Sequence, residues 1–181
     1  LDRLRVTTST GLNLAVDRNT GLATLQSAIN PPPISIAEVA YTNSVQNAAS
    51  TTLFTLSAAQ DALYIQTPAP SGFQALVGFT GMDLLSVSGF DIDPNTGTGF
   101  AVVTTAAGTG LATVNLGTGA VSAINPIAGG TAFNGFALQP ALPGNGAISY
   151  GVASIGLVDA GNALLRFNSA NPGSAVSVGV T

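Results

Sequence analysis

A strand–turn–strand unit recurs four times along this chain, and repetition on this scale limits the fold more than any single residue does. The copies read LNLAVDRNTGLATLQS from Leu12, LFTLSAAQDALYIQ from Leu53, LATVNLGTGAVSAI from Leu111 and LLRFNSANPGSAVSV from Leu164. Each is a short alternating run, a polar turn and a second apolar run, with starts roughly fifty residues apart. Alternation with period two turns one face of a strand toward a core and the other toward water. One hairpin cannot bury its apolar face alone, so a series of them predicts stacked sheets that share their cores.

The segments between the copies extend the pattern. DRLRVTT (2–8), LNLAV (12–16) and LATLQ (22–26) are divided by STG and DRNTG turns. INPPP (29–33) is expected to be a loop, because proline cannot donate to a sheet ladder. A second group follows: ISIAEVAY (34–41), TTLFTLS (51–57), ALYIQT (62–67) and FQALVGFT (73–80). The third is SGFDI (88–92), GFAVVTT (99–105), LATVNL (111–116) and AVSAI (120–124). The last is FNGFALQ (133–139), AISYGVAS (147–154), ALLRFN (163–168) and SAVSVGV (174–180).

Groups of three, four, four and four strands predict an all-β, β-propeller-like array of about four antiparallel blades. The blades cover approximately 1–27, 34–80, 88–125 and 133–181 of a single repeat domain; a β-sandwich or β-solenoid is the alternative. The first blade is incomplete, lacking a counterpart of ISIAEVAY, SGFDI or FNGFALQ. An open sheet edge invites pairing. Its missing strand is to be sought elsewhere in the ring, in further chain, or in another subunit by strand addition.

Composition narrows the chemistry. Charged residues are 7% of the chain, against about 25% in an average globular domain. The four cations are all arginine (Arg3, Arg5, Arg18, Arg166), and the net charge is −4. Nucleic-acid binding is not expected, since there is no basic stripe to neutralise phosphates. No apolar run approaches the ~18 residues of a membrane span. With no histidine and no cysteine, the usual general base, the thiol nucleophile and disulfides are all missing. A Ser–His–acid triad is impossible within this chain. The protein is therefore expected not to be an enzyme and to carry no organic cofactor.

Two polar constellations remain. In DIDPNTGTG (91–99), Asp91, Asp93 and Asn95 loosely resemble a calcium loop, making calcium the candidate ion. Gly97 comes one place late for that loop, and Val102 stands where its glutamate belongs; the competing reading is a capped Pro-Asn-Thr-Gly turn. Asp2, Arg3 and Arg5 form the one charge cluster. Arg3 and Arg5 share a strand face opposite Leu4 and Val6, which suits a solvated edge or an intersubunit salt bridge. Tyr41, Tyr64, Phe73 and Tyr150 are candidates for a sugar-stacking surface, although most aromatics occupy strand positions and read as core.

At DRLRVTTSTGLNLAVDRNTGLATL (2–25) the chain resembles a bacterial secreted family known as domain of unknown function 4394. AYTNS (40–44), STTLFTLSAAQDAL (50–63), GFDI (89–92) and TGLATVNLGTGAV (109–121) follow in the family's order, so the resemblance covers about residues 2–138. NALLRFNSANPG (162–173) is similar to the segment that opens the family's domain, yet here it comes last. The resemblance implies propeller-like surface repeats and supplies no catalytic residues to carry over. Scarce charge leaves little repulsion between copies. The chain thus reads as a non-enzymatic extracellular or cell-surface structural protein that associates with copies of itself, up to a filament completed by strand or edge pairing. The alternative is a monomeric surface module that binds glycan or calcium.

Overall fold

A computed structural model of the chain describes residues 3–31, 34–45, 47–127, 132–139, 148–154 and 162–180. Four small antiparallel sheets stand in a ring, the arrangement of a four-blade β-propeller. Blade 1 has three strands, β1 (Arg3–Thr7), β2 (Asn13–Asp17) and β3 (Ala23–Leu25). Blade 2 comprises β4 (Glu38–Tyr41), β5 (Leu53–Ser57), β6 (Ala62–Gln66) and β7 (Gln74–Phe79). Blade 3 comprises β8 (Ser86–Ile92), β9 (Gly99–Thr105), β10 (Gly108–Val114) and β11 (Asn125–Pro126). Blade 4 comprises β12 (Phe133–Gln139), β13 (Ile148–Ser154), β14 (Asn162–Asn168) and β15 (Asn171–Val180). Within each blade, every strand pairs with its successor in sequence. A single 3-10 turn, Ala69–Ser71, is the one helical element among the described residues.

The first strands of blades 2, 3 and 4 pack against one another, β4 on β8 and β8 on β12, and so define the centre of the ring. Gly89 makes the second contact feasible, because a Cβ there would overlap the Phe136 Cβ and backbone. Among the described residues, blade 1 has no strand in that central position. With the strands of blade 1 numbered from the second position, because its central first strand has no counterpart among the described residues, the third-position strands begin at Asn13, Ala62, Gly108 and Asn162. These positions are more evenly spaced than the four hairpins of the sequence pattern. LFTLSAAQDALYIQ is a second-and-third-strand hairpin, whereas the other three copies are third-and-fourth, so that unit lies one strand out of phase.

Two apolar clusters join blades 2, 3 and 4. Phe54, Leu56 and Leu63 of blade 2 meet Phe90, Ile92, Ala101, Val103 and Val114 of blade 3. Across blade 3, Val102 and Leu111 meet Phe133, Leu165 and Phe167 of blade 4. Ala101 and Val103 thus face one neighbour while Val102 faces the other. A strand buried on both faces reads as a continuous apolar run, which is how GFAVVTT reads. Fully burying one such side chain stabilises the fold by roughly 1.5–3 kcal/mol.

Two segments differ from the expected strands. AVSAI (120–124) is not a strand: the Val121 N–H donates to Thr80 O at 2.9 Å, drawing the segment toward blade 2. The short β11 forms just beyond it. Within ISIAEVAY only Glu38–Tyr41 is strand, since the Ser35 N–H is taken by the Gln60 side chain at 3.1 Å. In INPPP, Asn30 forms a parallel bridge to Phe73, while residues 32 and 33 lie outside the described residues, as does Ala147 of AISYGVAS.

Candidate functional site

Blade 1 joins blade 2 through polar groups rather than an apolar cluster. In β5, β6 and β7 the face toward blade 1 carries Thr55, Ser57, Gln66 and Gln74, all buried. Thr55 Oγ1 donates to Gln74 Oε1 at 2.6 Å, and Gln74 Nε2 donates to Gln66 Oε1 at 2.8 Å. Gln66 Nε2 then donates to Ala69 O at 2.6 Å. The same carbonyl accepts from Asn13 Nδ2 of blade 1 at 3.0 Å, and that amide also donates to Ser27 O at 3.0 Å. Asn13 Oδ1 finally accepts from Arg5 Nη1 at 2.9 Å. A continuous chain of hydrogen bonds therefore crosses blade 2 and ends on a guanidinium in blade 1.

Backbone bonds complete the junction. Ser27 N–H donates to Pro70 O, Asn30 N–H to Gly72 O, and Gln74 N–H to Asn30 O at 2.8 Å. Gly72 has φ +69, and a Cβ there would run into the Ala28 carbonyl, so the two segments can approach this closely only with glycine.

The register pairs Arg3 with Asp17, Arg5 with Ala15 and Thr7 with Asn13, which puts these residues on the face toward blade 2. Asn13 and Ala15 are buried there. On the opposite face Leu4 pairs with Val16, Val6 with Leu14, and Leu14 with Leu25. That apolar face is open: Leu4 is 62% exposed, Val6 41% and Leu25 67%. Leu12 and Leu22 beside it are exposed as well. The inner edge of β1 has no ladder partner among the described residues.

Between blade 1 and the end of blade 2 lies a groove of about 1110 Å³ lined by Arg3, Arg5 and Arg18 together with Tyr41, Asn43 and Thr52. No Asp or Glu lines it among the described residues. Asp17 is nearby, its carboxyl held below the usual carboxylate range by the backbone N–H groups of Thr20 and Asn19, with Arg3 adding a smaller attraction. The two bonds measure 3.0 and 2.9 Å.

Of the residues singled out in sequence, Arg3 and Arg5 come together at this groove, while Asp2 lies outside the described residues. Asp91, Asp93 and Asn95 are at the far side of blade 3. Asp91 Oδ1 accepts from the Ile92 N–H at 2.8 Å, and its Oδ2 accepts from the Leu138 N–H at 2.9 Å, clasping β8 to β12. Asp93 is buried; Oδ1 accepts from the Asn95 N–H at 2.9 Å and Oδ2 from the Thr96 hydroxyl at 3.1 Å. Gly97, with φ +69, closes this turn by donating to Asp93 O at 2.8 Å. No group of three or more His, Cys, Asp or Glu able to hold a metal ion occurs among the described residues. The aromatic candidates are dispersed: Tyr41 lines the groove, Tyr64 is buried in β6, Phe73 precedes β7, and Tyr150 in β13 donates to Gln139 Oε1 at 3.2 Å.

Arg18, Asn13, Gln66 and Gln74 were not singled out in sequence. A signal was available for the two glutamines. Gln66 follows Ala62 and Tyr64 on one strand face, and a polar residue at the inward position of such a strand needs a partner.

The sheets, their order and their common centre define a four-blade propeller-like protein. The chain belongs to the family described as Domain of unknown function (DUF4394), whose model matches residues 1–137. No curated protein matches it. A solved structure, Kuenenia stuttgartiensis hydrazine synthase, is similar in fold, with a TM-score of 0.59 at 12% identity over 98% of this chain. This chain spans 46% of the length of that one. No helix among the described residues is long and apolar enough to cross a membrane.

Proposed function

We propose that this protein is a non-enzymatic structural protein of the cell exterior whose copies associate through blade 1, extending to a filament. The open apolar face of Leu4, Val6 and Leu25 is the observation that carries the reading. Contiguous exposed apolar surface on a sheet marks an interaction site, and the edge of β1, without a ladder partner among the described residues, supplies backbone donors and acceptors for strand addition. A sequence with 7% charged residues does little to keep copies apart. Sedimentation velocity and negative-stain microscopy test it: concentration-dependent oligomers or fibres are expected, and Leu4→Lys together with Leu25→Lys should return the chain to a monomer. A chain that stays monomeric at high concentration overturns it.

The groove favours a second reading, a surface module that binds a glycan; the calcium alternative rests instead on Asp91, Asp93 and Asn95. For calcium the test is the melting temperature with and without the ion. A melting temperature indifferent to calcium removes Asp91, Asp93 and Asn95 as a site.

A further inference from the structure

We infer that the groove between blades 1 and 2 binds an acidic saccharide, seating a carboxylate of the sugar on Arg5. The inference rests on the binding-module reading and names its ligand class. Three of the chain's four cationic side chains line this one groove, in a protein of net charge −4. Such a concentration of one sign, with no acid in the lining, draws an anion from solution.

Arg5 is held ready for it. Its Nη1 is fixed by Asn13, and Asn13 is fixed in turn by Ala69 O and Ser27 O. Its Nε is buried with no hydrogen-bond partner among the described residues. A carboxylate entering the groove would pair with the guanidinium, and a shift of the Arg5 side chain that turns Nε toward it would relieve the cost of a buried donor left without an acceptor. Arg3 and Arg18, both exposed, add long-range attraction. Asp17 opposes Arg3 across the strands but does not line the groove.

The remaining lining chooses among anions. Tyr41, half-buried, offers an apolar ring with a polar tip; Asn43, Thr51 and Thr52 offer amide and hydroxyl groups. Neutral donors and acceptors beside an aromatic ring suit the hydroxyls and C–H faces of sugars. A volume of about 1110 Å³ lies just above the usual range of small-molecule sites, about 300–1,000 Å³, and fits an oligosaccharide better than a lone ion.

Isothermal titration calorimetry of the whole chain with galacturonate and mannuronate hexamers, maltohexaose and poly-L-glutamate tests the inference. At least one uronate hexamer should bind, more weakly as salt rises. Arg5→Gln should lower that affinity about tenfold or more, and Arg5→Lys, which keeps the charge but loses the fork, should fall between. Circular dichroism reports whether Arg5→Gln still folds. If it does not, Arg3→Gln with Arg18→Gln, both at exposed positions, should still weaken binding severalfold. Equal binding of maltohexaose overturns the acidic preference while leaving a glycan module standing. Preferential binding of polyglutamate moves the site to acidic peptides and overturns the saccharide assignment. Binding of none of the four overturns both the acidic-saccharide assignment and the glycan reading of the groove, while the calcium alternative stands or falls by its own melting test.

Discussion

The junctions on the two sides of blade 2 are built from opposite materials. Toward blade 3, blade 2 presents Phe54, Leu56 and Leu63 to an apolar cluster. Toward blade 1 it presents Thr55, Gln66 and Gln74, joined by hydrogen bonds to Asn13 and Arg5. Blade 1 accordingly turns its polar face inward and leaves Leu4, Val6 and Leu25 outside. Apolar burial is a large net gain per side chain, whereas a typical intramolecular hydrogen bond contributes only ~0.5–1.5 kcal/mol after water is accounted for. The difference teaches that blades 2, 3 and 4 form the stable body. Blade 1 is held to that body mainly by hydrogen bonds and turns its apolar face outward.

Leucine truncation is the strongest way to break that comparison. Leu63 is fully buried in the cluster between blades 2 and 3. Leu63→Ala should cost about 2–5 kcal/mol in urea denaturation. Leu4→Ala should change the stability of the isolated chain by no more than about 0.5 kcal/mol and act instead on association. Equal costs would mean that the outer face of blade 1 is packed within the monomer.

The next effect separates blade 1 from the body. Gly72→Ala forces a β-carbon onto the Ala28 carbonyl at a residue with φ +69. Positive φ alone strains an alanine by roughly 1–3 kcal/mol. Hydrogen exchange should then show protection lost across β1, β2 and β3 while β5 and β9 keep theirs. Loss of protection in all of these strands together would show one cooperative unit and remove the distinction between the junctions.

A smaller effect is expected where blades 3 and 4 meet. Asp91→Asn keeps the size of the side chain but replaces one carboxylate oxygen with a donor, setting N–H against N–H at Ile92 or Leu138. A loss of about 1 kcal/mol is expected from thermal denaturation, because the apolar cluster of Val102, Phe133 and Phe167 still joins those blades. A collapse of blade 4 protection would show that the clasp, not the cluster, joins them.

Much of this architecture was legible because its cause is periodic. Alternation in LNLAV and LFTLS, the glycine of DRNTG and the prolines after Asn30 each act within a few residues, so three-plus-four-plus-four-plus-four strands could be counted from the chain. The phase of the second hairpin was less visible, since LFTLSAAQDALYIQ and ALYIQTPAPSGFQALVGF both read as strand–turn–strand. Only the packing of β4 on β8 separates them. The site was harder still. Arg5 was visible as a charge, but its place at the end of a hydrogen-bond chain depends on Gln66, Gln74 and Ala69, distant in sequence and joined only by folding. The face that blade 1 turns outward could not be read from DRLRVTT, because alternation says which residues share a face and not which face finds a partner.

The smallest effect concerns Glu38, at the start of β4 in the body of the fold. Burial pushes its carboxyl above the ordinary value of 4.5 by penalising the charged form. The unfolded chain ionises at the ordinary value while the folded chain resists, so folding is favoured below 4.5 and loses stability as pH rises toward the raised folded value. Glu38→Gln removes the penalty. It should raise the melting temperature at pH 7, and the advantage should shrink and vanish as pH falls below 4.5. Asp17 of blade 1 behaves oppositely. Its lowered carboxyl favours the fold above 3.8, and that contribution fades as pH falls further, so Asp17→Asn should lower the melting temperature at pH 7 and lose its effect in acid. Melting curves of the two variants from pH 3 to pH 7 would therefore diverge in opposite directions, one reporting the buried body and the other the exposed turn of blade 1. Parallel curves would show that Glu38 is as open to water as Asp17, and that the centre of the ring is less closed than the packing of β4 on β8 requires.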